Sequence, residues 1–274
     1  MAEQDGKWVY SHTQLDLWRT CKRRYHWKYV LGNEEPTTDT MAAGTWLVQE
    51  PIEVFHETIF ENDISHCWAN FLSEFGGDSS YDSGLFTPDL PHKVLAAYRG
   101  NRVVGKVIAI EETYYRDLLG CYRYSSRPDL VAERDGHKIA WDIKLKTFNQ
   151  ARNGDEFFLK PALSTLDDQG ISQAVCAGAD AFGQIQFWLG KKDGLLRGPF
   201  YLEHQLNPVL ADEWERETLY EVGEIEMLMN GLRFDTPPSK NPDACGKFGR
   251  VCPAWSACNF GFSNKKLDKQ EQQA

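Results

Sequence analysis

The sequence predicts an α/β protein in which helices cover a mixed sheet. Three observations carry that expectation. Stretches near the start (11–30) and near the end (about 207–232) place apolar residues at helical spacing. Between them lie segments rich in Val, Ile and Tyr that read as strands. At the centre, Asp135-Gly136 is flanked by Leu130-Val131-Ala132 and Lys138-Ile139-Ala140-Trp141, a strong hairpin-turn signal.

Taken in order, Ser11-His12-Thr13-Gln14 fits a capping box, and Leu15, Trp18, Tyr25 and Tyr29 supply helical spacing, so 11–30 reads as a helix. Residues 31–42, with Pro36 and paired threonines, read as a loop. A second helix is expected from about Gly44 to Phe60, its first turns disturbed by Pro51, with 64–75 continuing helically. Gly76 to Pro91 is a loop rich in Gly, Ser and Asp. The segment 102–117 reads as one strand, and the hairpin strands span roughly 121–133 and 138–147. Residues 148–163 look irregular, Ser164 to Phe182 helical, 184–189 a strand and 198–205 another. The order is helices, three strands, helix, strand, then more helix, with no internal repeat. A single domain over 1–263 is expected, with 264–274 a polar, disordered tail.

Bulk properties narrow the function. At 274 residues, 42% hydrophobic and 13% aromatic, the chain can bury a large core. No run of eighteen apolar residues occurs, so neither a transmembrane helix nor a membrane partner is expected. The opening Met-Ala-Glu-Gln-Asp-Gly lacks the pattern of a signal peptide, which reads as a cytoplasmic protein. Forty acidic against thirty basic residues, a net charge of −10, argue against a protein that coats nucleic acid by bulk charge. Local charge still allows an enzyme of DNA: Cys21 to Tyr29 interleaves four cations with three aromatics, although a solvated helix face is the plainer reading.

The hairpin carries chemistry. With 135 and 136 as the turn, residues on its strands pair when their numbers sum to 271, which sets Asp129 opposite Asp142. Two like charges facing across a ladder are destabilising unless a divalent cation lies between them. Asp129 and Asp142 are therefore candidate ligands for Mg²⁺ or Mn²⁺, with the Ile143 carbonyl completing the protein side. Lys144 projects from the face of Asp142, where it would stabilise charge on a phosphate or orient water. That layout suits metal-dependent phosphodiester cleavage. Glu111 and Glu112, on the preceding strand, are further carboxylates within possible reach of the metals, and Lys146 shares the face of Lys144.

Seven cysteines in a cytoplasmic chain do not suggest disulfides. Cys67, Cys121 and Cys176 read as buried apolar residues. Cys245, Cys252 and Cys258 are separated by six and then five residues, with Phe248, Gly249, Pro253 and Trp255 interleaved, and one more thiolate would complete a tetrahedral site. Four thiolates suit Zn²⁺ or an iron–sulfur cluster, and the pairs separated by two to four residues that structural zinc usually brings are lacking.

In these pieces the chain resembles the PD-(D/E)xK nuclease superfamily, in its RecB-like branch of phage-type, AddB-type and CRISPR-adaptation exonucleases. "SHTQLDLWRTCKRRYHWKY" (11–29) is similar to the branch's opening helix, "RPDLVAERDGHKIAWDIKLKT" (127–147) to its metal-site hairpin, and "CGKFGRVCPAWSAC" (245–258) to its cysteine-rich tail. The resemblance implies a restriction-endonuclease-like core, metal binding by Asp129 and Asp142, and a catalytic Lys144. It makes Cys21 the fourth ligand of a [4Fe–4S] cluster that joins 11–30 to 234–262 as a module, with Zn²⁺ as the alternative. It also implies DNA exonuclease activity in recombination, repair or phage DNA processing, with a helicase or recombinase as a possible partner. Two departures stand out. The branch's metal-binding histidine falls four residues after a glycine, where Gly44 is followed by Val48; Gln49, Glu50 and Glu53 are nearby oxygen donors, and His56 lies two turns on. Of the branch's Gln-x-x-x-Tyr motif, Gln173 is present but Ala177 replaces the tyrosine. Two other readings stay open: a DNA-binding or assembly module on the same fold, and a zinc-stapled protein with no nuclease role.

Overall fold

The computed structural model describes residues 2–4, 6–57, 63–77, 81, 84–120, 122–148, 167–231, 241, 243, 245 and 252–254. In chain order, β1 (Ala2–Gln4) and β2 (Lys7–Ser11) precede α1 (His12–Thr20), α2 (Lys22–Tyr25) and a π-helical turn, His26–Val30. Next come α3 (Asp39–Ala42), a second π-helical turn (Ala43–Gln49), α4 (Glu50–Glu57), α5 (His66–Phe75) and α6 (Leu90–Gly100). The strands β3 (Lys106–Ile110), β4 (Tyr114–Asp117), β5 (Tyr122–Ser126), β6 (Leu130–Arg134) and β7 (His137–Phe148) follow. The chain continues with α7 (Asp168–Ala177), β8 (Ala181–Gly190), β9 (Leu196–Gln205) and α8 (Pro208–Gly231).

These elements fall into two units. Met1–Pro36, Tyr115–Ser125 and Asp212–Ala274 make the first, and Thr37–Tyr114 with Ser126–Ala211 the second. The first holds a sheet of order β1-β2-β5-β4, in which β2 and β5 run parallel. Tyr10, Trp18 and Tyr25 are buried there, and α1 and α2 are tied to α8 by side-chain bonds. Trp18 Nε1 donates to Glu224 at 3.1 Å, Arg19 forms a bidentate pair with Glu221, and Lys22 pairs with Glu224. Arg24 and Lys28 both reach Glu35, at 2.6 and 3.3 Å. The basic stretch after Cys21 thus directs at least three of its cations to carboxylates of its own unit, which supports the plainer reading of it.

The second unit is built on a mixed sheet of order β3-β6-β7-β8-β9, with β7 and β8 parallel and the other pairs antiparallel. One face packs under the helical layer: Leu47, Val48, Ile52, Phe71, Val94 and Tyr98 share a core with Trp141, Ile143, Ile185 and Phe187. On β7 the side chains alternate, so Asp142, Lys144 and Lys146 project from the opposite face. There α7 packs on β7 and β8. Gly170 allows the close approach, since a Cβ at that position would stand 2.4 Å from the Phe182 ring.

The structure corrects several expected elements. The helix over 11–30 is interrupted at Cys21, whose backbone is extended (φ −162°, ψ 103°), and Ser11 ends β2 with no side-chain capping bond. The single strand over 102–117 is two strands in different sheets, because Glu111 takes left-handed backbone (φ 47°) between them. The strand over 121–133 likewise divides into β5 and β6, one in each sheet, around Arg127-Pro128-Asp129. Pro128 has no N–H to donate to a continuing ladder. Two sheets therefore stand where one mixed sheet was expected. The helix expected from Ser164 runs only Asp168–Ala177 among the described residues, ending at a left-handed Gly178 (φ 61°). α6 was not anticipated, although Leu90, Val94, Leu95 and Tyr98 supply its buried face and Pro91 suits its first turn. Among the described residues no helix is long and apolar enough to cross a membrane.

Candidate metal centre

The hairpin turn is as expected: Asp135 and Gly136 both have positive φ (53° and 80°), the signature of a two-residue turn that matches strand twist. All five recorded β6–β7 pairs, Leu130↔Trp141 to Arg134↔His137, obey the predicted sum. Asp129 and Asp142 occupy the next step. There the ladder gives way to a side-chain bond, with the Ile143 N–H donating to Asp129 Oδ2 at 2.5 Å. In a strand the N–H and C=O of one residue point to the same side, so the Ile143 carbonyl faces the Asp129 side as well.

Three further elements bring polar groups to Asp129. Glu111, held in its left-handed turn, donates its own N–H to the Asp129 carbonyl at 3.0 Å, and its exposed carboxylate lies between Gln49 (2.9 Å) and Arg127 (3.6 Å). Glu53, on α4, is 6% exposed. Oxygens of Glu53, Glu111 and Asp129 lie within 4.8 Å of one another. Gln49, the last residue of the π-helical turn, donates from Nε2 to Glu53 Oε1 (2.7 Å), Glu111 Oε1 (2.9 Å) and Asp129 Oδ1 (3.1 Å).

On the other side of Asp129, Lys144 Nζ lies 2.8 Å from Asp142 Oδ2. From α7, Gln169 donates to Asp142 Oδ1 at 3.1 Å and accepts from Lys144 Nζ at 3.3 Å. Gln173, one turn on and 2% exposed, also hydrogen-bonds Asp142. Asp167 caps α7 by accepting from the Gly170 N–H at 3.2 Å, and Gln184 donates to it at 2.8 Å.

Charge is concentrated and poorly hydrated here, and the acids respond. Burial, reinforced by Glu111, Asp129 and Glu50, pushes the Glu53 carboxyl up to about 8 against the pull of the Gln49 hydrogen bond. Burial and the neighbouring Asp142 push Asp129 up to about 7. Asp142 is also raised, chiefly by burial, with Lys144 opposing. For Lys144, burial pulls downward but Asp142 more than offsets it, so the group stays an ammonium. Glu53, Glu111 and Asp129 gathered around a common point are a group that could bind a divalent cation.

Most of the predicted residues therefore meet: Asp129, Asp142, Ile143, Lys144 and Gln173 lie together. Others do not. Val48 is fully buried in the apolar core. Glu50 faces His66 (3.0 Å), Glu112 accepts from Tyr114 (2.8 Å), and His56 shares a hydrogen with Tyr98 (2.8 Å) while burial lowers its ring to about 4. Ala177, where a tyrosine would stand, closes the last turn of α7. Lys146 sits over the Trp188 ring, 5.8 Å from its centroid. Gln169 was not anticipated; its only sequence signal is the four-residue spacing from Gln173 along one helix face. The carboxylates of Glu53, Glu111, Asp129 and Asp142 and the Ile143 carbonyl are hard oxygen donors, the chemistry that suits Mg²⁺ or Mn²⁺, so these residues fit a divalent cation.

The cysteines are less complete. Cys258 lies outside the described residues, as do Trp255 and Cys121. Cys21, Cys245 and Cys252 carry free thiols in the first unit. The Cys252 N–H donates to the Cys245 carbonyl at 3.0 Å, and Cys245 Sγ approaches the Asn241 carbonyl at 3.6 Å. Burial raises the Cys252 thiol, with Cys245 and Cys21 adding to the effect. Among the described residues the sulfurs do not close into a metal-sized group; Glu53, Glu111 and Asp129 do.

No protein-family model matches the chain, and no curated protein does. Among solved structures, the protein SSO0001 is similar over 92% of this chain and 96% of its own, at 16% identity and a TM-score of 0.34. A protein of Eubacterium rectale, provisionally described as an exonuclease, is similar over 88% of each chain, at 11% identity and a TM-score of 0.49.

Proposed function

We propose that this chain is a divalent-metal-dependent nuclease that hydrolyses DNA phosphodiester bonds from strand ends. The observation that carries the proposal is the double engagement of Asp129. It belongs at once to the carboxylate group with Glu53 and Glu111 and to the coupled acids that Lys144 neutralises. Glu53, Glu111, Asp129, Asp142 and the Ile143 carbonyl would hold Mg²⁺ or Mn²⁺, which supplies an acidified water and offsets negative charge on the phosphate.

The remaining steps belong to the side chains. Lys144 keeps its proton and directs a cation to the phosphate oxygens as charge builds on them. Asp142 fixes the Lys144 ammonium, and Gln169 and Gln173 fix Asp142, so the pair is held before substrate arrives. Mostly buried charges strengthen these interactions relative to water. The choice of DNA and of strand ends rests on the resemblance to the RecB-like branch. The same resemblance supports a [4Fe–4S] cluster on Cys21, Cys245, Cys252 and Cys258 as a structural staple; iron and acid-labile sulfide in anaerobically purified protein test it, and one zinc per chain would replace it.

Val48, an apolar core residue at the position of the branch's histidine, favours a second reading, in which the site binds DNA without cleaving it. Linear DNA labelled at the 5′ or 3′ end, incubated with Mn²⁺, separates the two. The proposal requires mononucleotide or short products from wild type and none from Asp142→Ala or Lys144→Ala. Full activity in either variant refutes the assigned roles, and DNA binding without cleavage by wild type supports the second reading.

A further inference from the structure

We infer that Gln49 is itself a ligand of the divalent cation, offering its side-chain carbonyl Oε1 at the point where its amide nitrogen now bridges three carboxylates. The inference rests on the metal reading above and extends it to a residue that carries no charge.

Hydrogens are too few at the Gln49 amide. An amide NH₂ has two, yet Gln49 Nε2 faces three carboxylate oxygens at 2.7, 2.9 and 3.1 Å. Gln49 can serve at most two of them at once, and the other cationic neighbour of the group is Arg127, 3.6 Å from Glu111 Oε1. Three carboxyl oxygens converging on one atom suit a positive centre once they are ionised, and a partial positive charge on nitrogen fills it only weakly. A cation arriving there would meet the positive end of the amide dipole. A half-turn about the Cγ–Cδ bond removes that conflict, because the amide oxygen and nitrogen are nearly equal in size and exchange places. Oxygen then points at the cation with the rest of the side chain unmoved.

The backbone explains why this residue is the one so placed. Gln49 closes the π-helical turn Ala43–Gln49, which admits one residue more per turn than an α-helix. That extra residue rotates the exit of the turn. Val48 enters the apolar core, fully buried, and Gln49 emerges beside the acids, one helical turn before Glu53 and on its face. The alternative role is purely structural: the amide bridges the acids in the free protein and is displaced when metal enters. The two roles predict opposite signs. A ligand strengthens metal binding, whereas a bridge competes with it.

Calorimetric titration of Mn²⁺ into the full chain at pH 8 decides. Gln49→Met, matched in length and without a hard donor, is expected to weaken Mn²⁺ binding by about tenfold or more. Gln49→Glu restores an oxygen and is expected to bind at least as tightly as wild type, while its metal-free form melts at a lower temperature because a fourth carboxylate joins three. Unchanged or tighter binding by Gln49→Met overturns the inference and leaves the metal reading standing. If Gln49→Met does not fold by circular dichroism, Gln49→Glu decides alone: weaker binding than wild type overturns the inference, and equal or tighter binding with a lowered metal-free melting temperature supports it. Absence of Mn²⁺ binding by wild type, with Asp129→Asn giving the same flat trace, overturns the metal reading and this inference together.

Discussion

Lowering the pH from 8 to 6 is predicted to weaken Mn²⁺ binding by two to three powers of ten. The cation requires ionised Glu53 and Asp129, whose carboxyls are pushed up to about 8 and about 7. At pH 8 roughly half of the molecules have Glu53 ionised and about nine-tenths have Asp129 ionised. At pH 6 those fractions fall to about one in a hundred and about one in ten. Their product drops by two to three powers of ten, or about 4 kcal/mol of apparent binding free energy. Exposed carboxylates at their ordinary values are ionised at both pH values and would give almost no change. Isothermal titration at constant ionic strength, in two buffers of different ionisation enthalpy, measures the affinity and the protons released. Between one and two protons per Mn²⁺ should leave at pH 7, about 1.4 from these two groups. An affinity that changes less than threefold between pH 6 and 8, with no buffer dependence of the heat, would refute the reasoning.

The same groups set the stability of the metal-free protein. Their folded values lie above the ordinary 4.5 and 3.8, so the fold favours their protonated forms, and the melting temperature should fall as pH rises from about 5 to 8. Saturating Mn²⁺ at pH 8 should recover it; a flat or rising profile without metal contradicts the assignment. Lys144→Met should destabilise the chain by about 3 kcal/mol in denaturant titration at pH 8, since it leaves Asp142 buried beside other acids without its cation. Adding Asp142→Asn should recover most of that loss, and purely additive effects would deny the coupling. Gly170→Ala should cost about 1–3 kcal/mol by driving a methyl into the Phe182 ring, and the displaced α7 should lower activity through Gln169 and Gln173. Wild-type melting in that variant would show that α7 has room to shift.

The hairpin was legible because its determinants are local. A two-residue turn needing positive φ twice, with apolar residues on both sides, fixes a register, and the register alone paired Asp129 with Asp142. The carboxylates that join them were only nominated. Glu111 arrives through a left-handed residue that ends β3, and neither composition nor period announces such a turn. Gln49 was named beside Glu50 and Glu53 as a nearby oxygen donor, off the position the branch's histidine takes. A helical reading counts 3.6 residues per turn, and the π-helical turn before it moves the inward position from 48 to 49. Long strands were misread for a related reason: the chain changes sheets after Ile110 and after Ser126, and alternation continues across such a switch. In the basic stretch after Cys21, Lys22 meets Glu224 some 200 residues downstream, beyond the reach of local pattern, whereas Arg24 and Lys28 meet Glu35 close by in the chain.

The proposed function requires one cation among Glu53, Glu111 and Asp129, beside Asp142. A crystal grown at pH 8, soaked in MnCl₂ and measured near the manganese absorption edge locates it directly. The expected result is an anomalous peak within ligand distance of Asp129 and Glu53, with Gln49 turned to present its oxygen. A peak elsewhere, or none at this group while the same protein cleaves DNA with Mn²⁺, would contradict it.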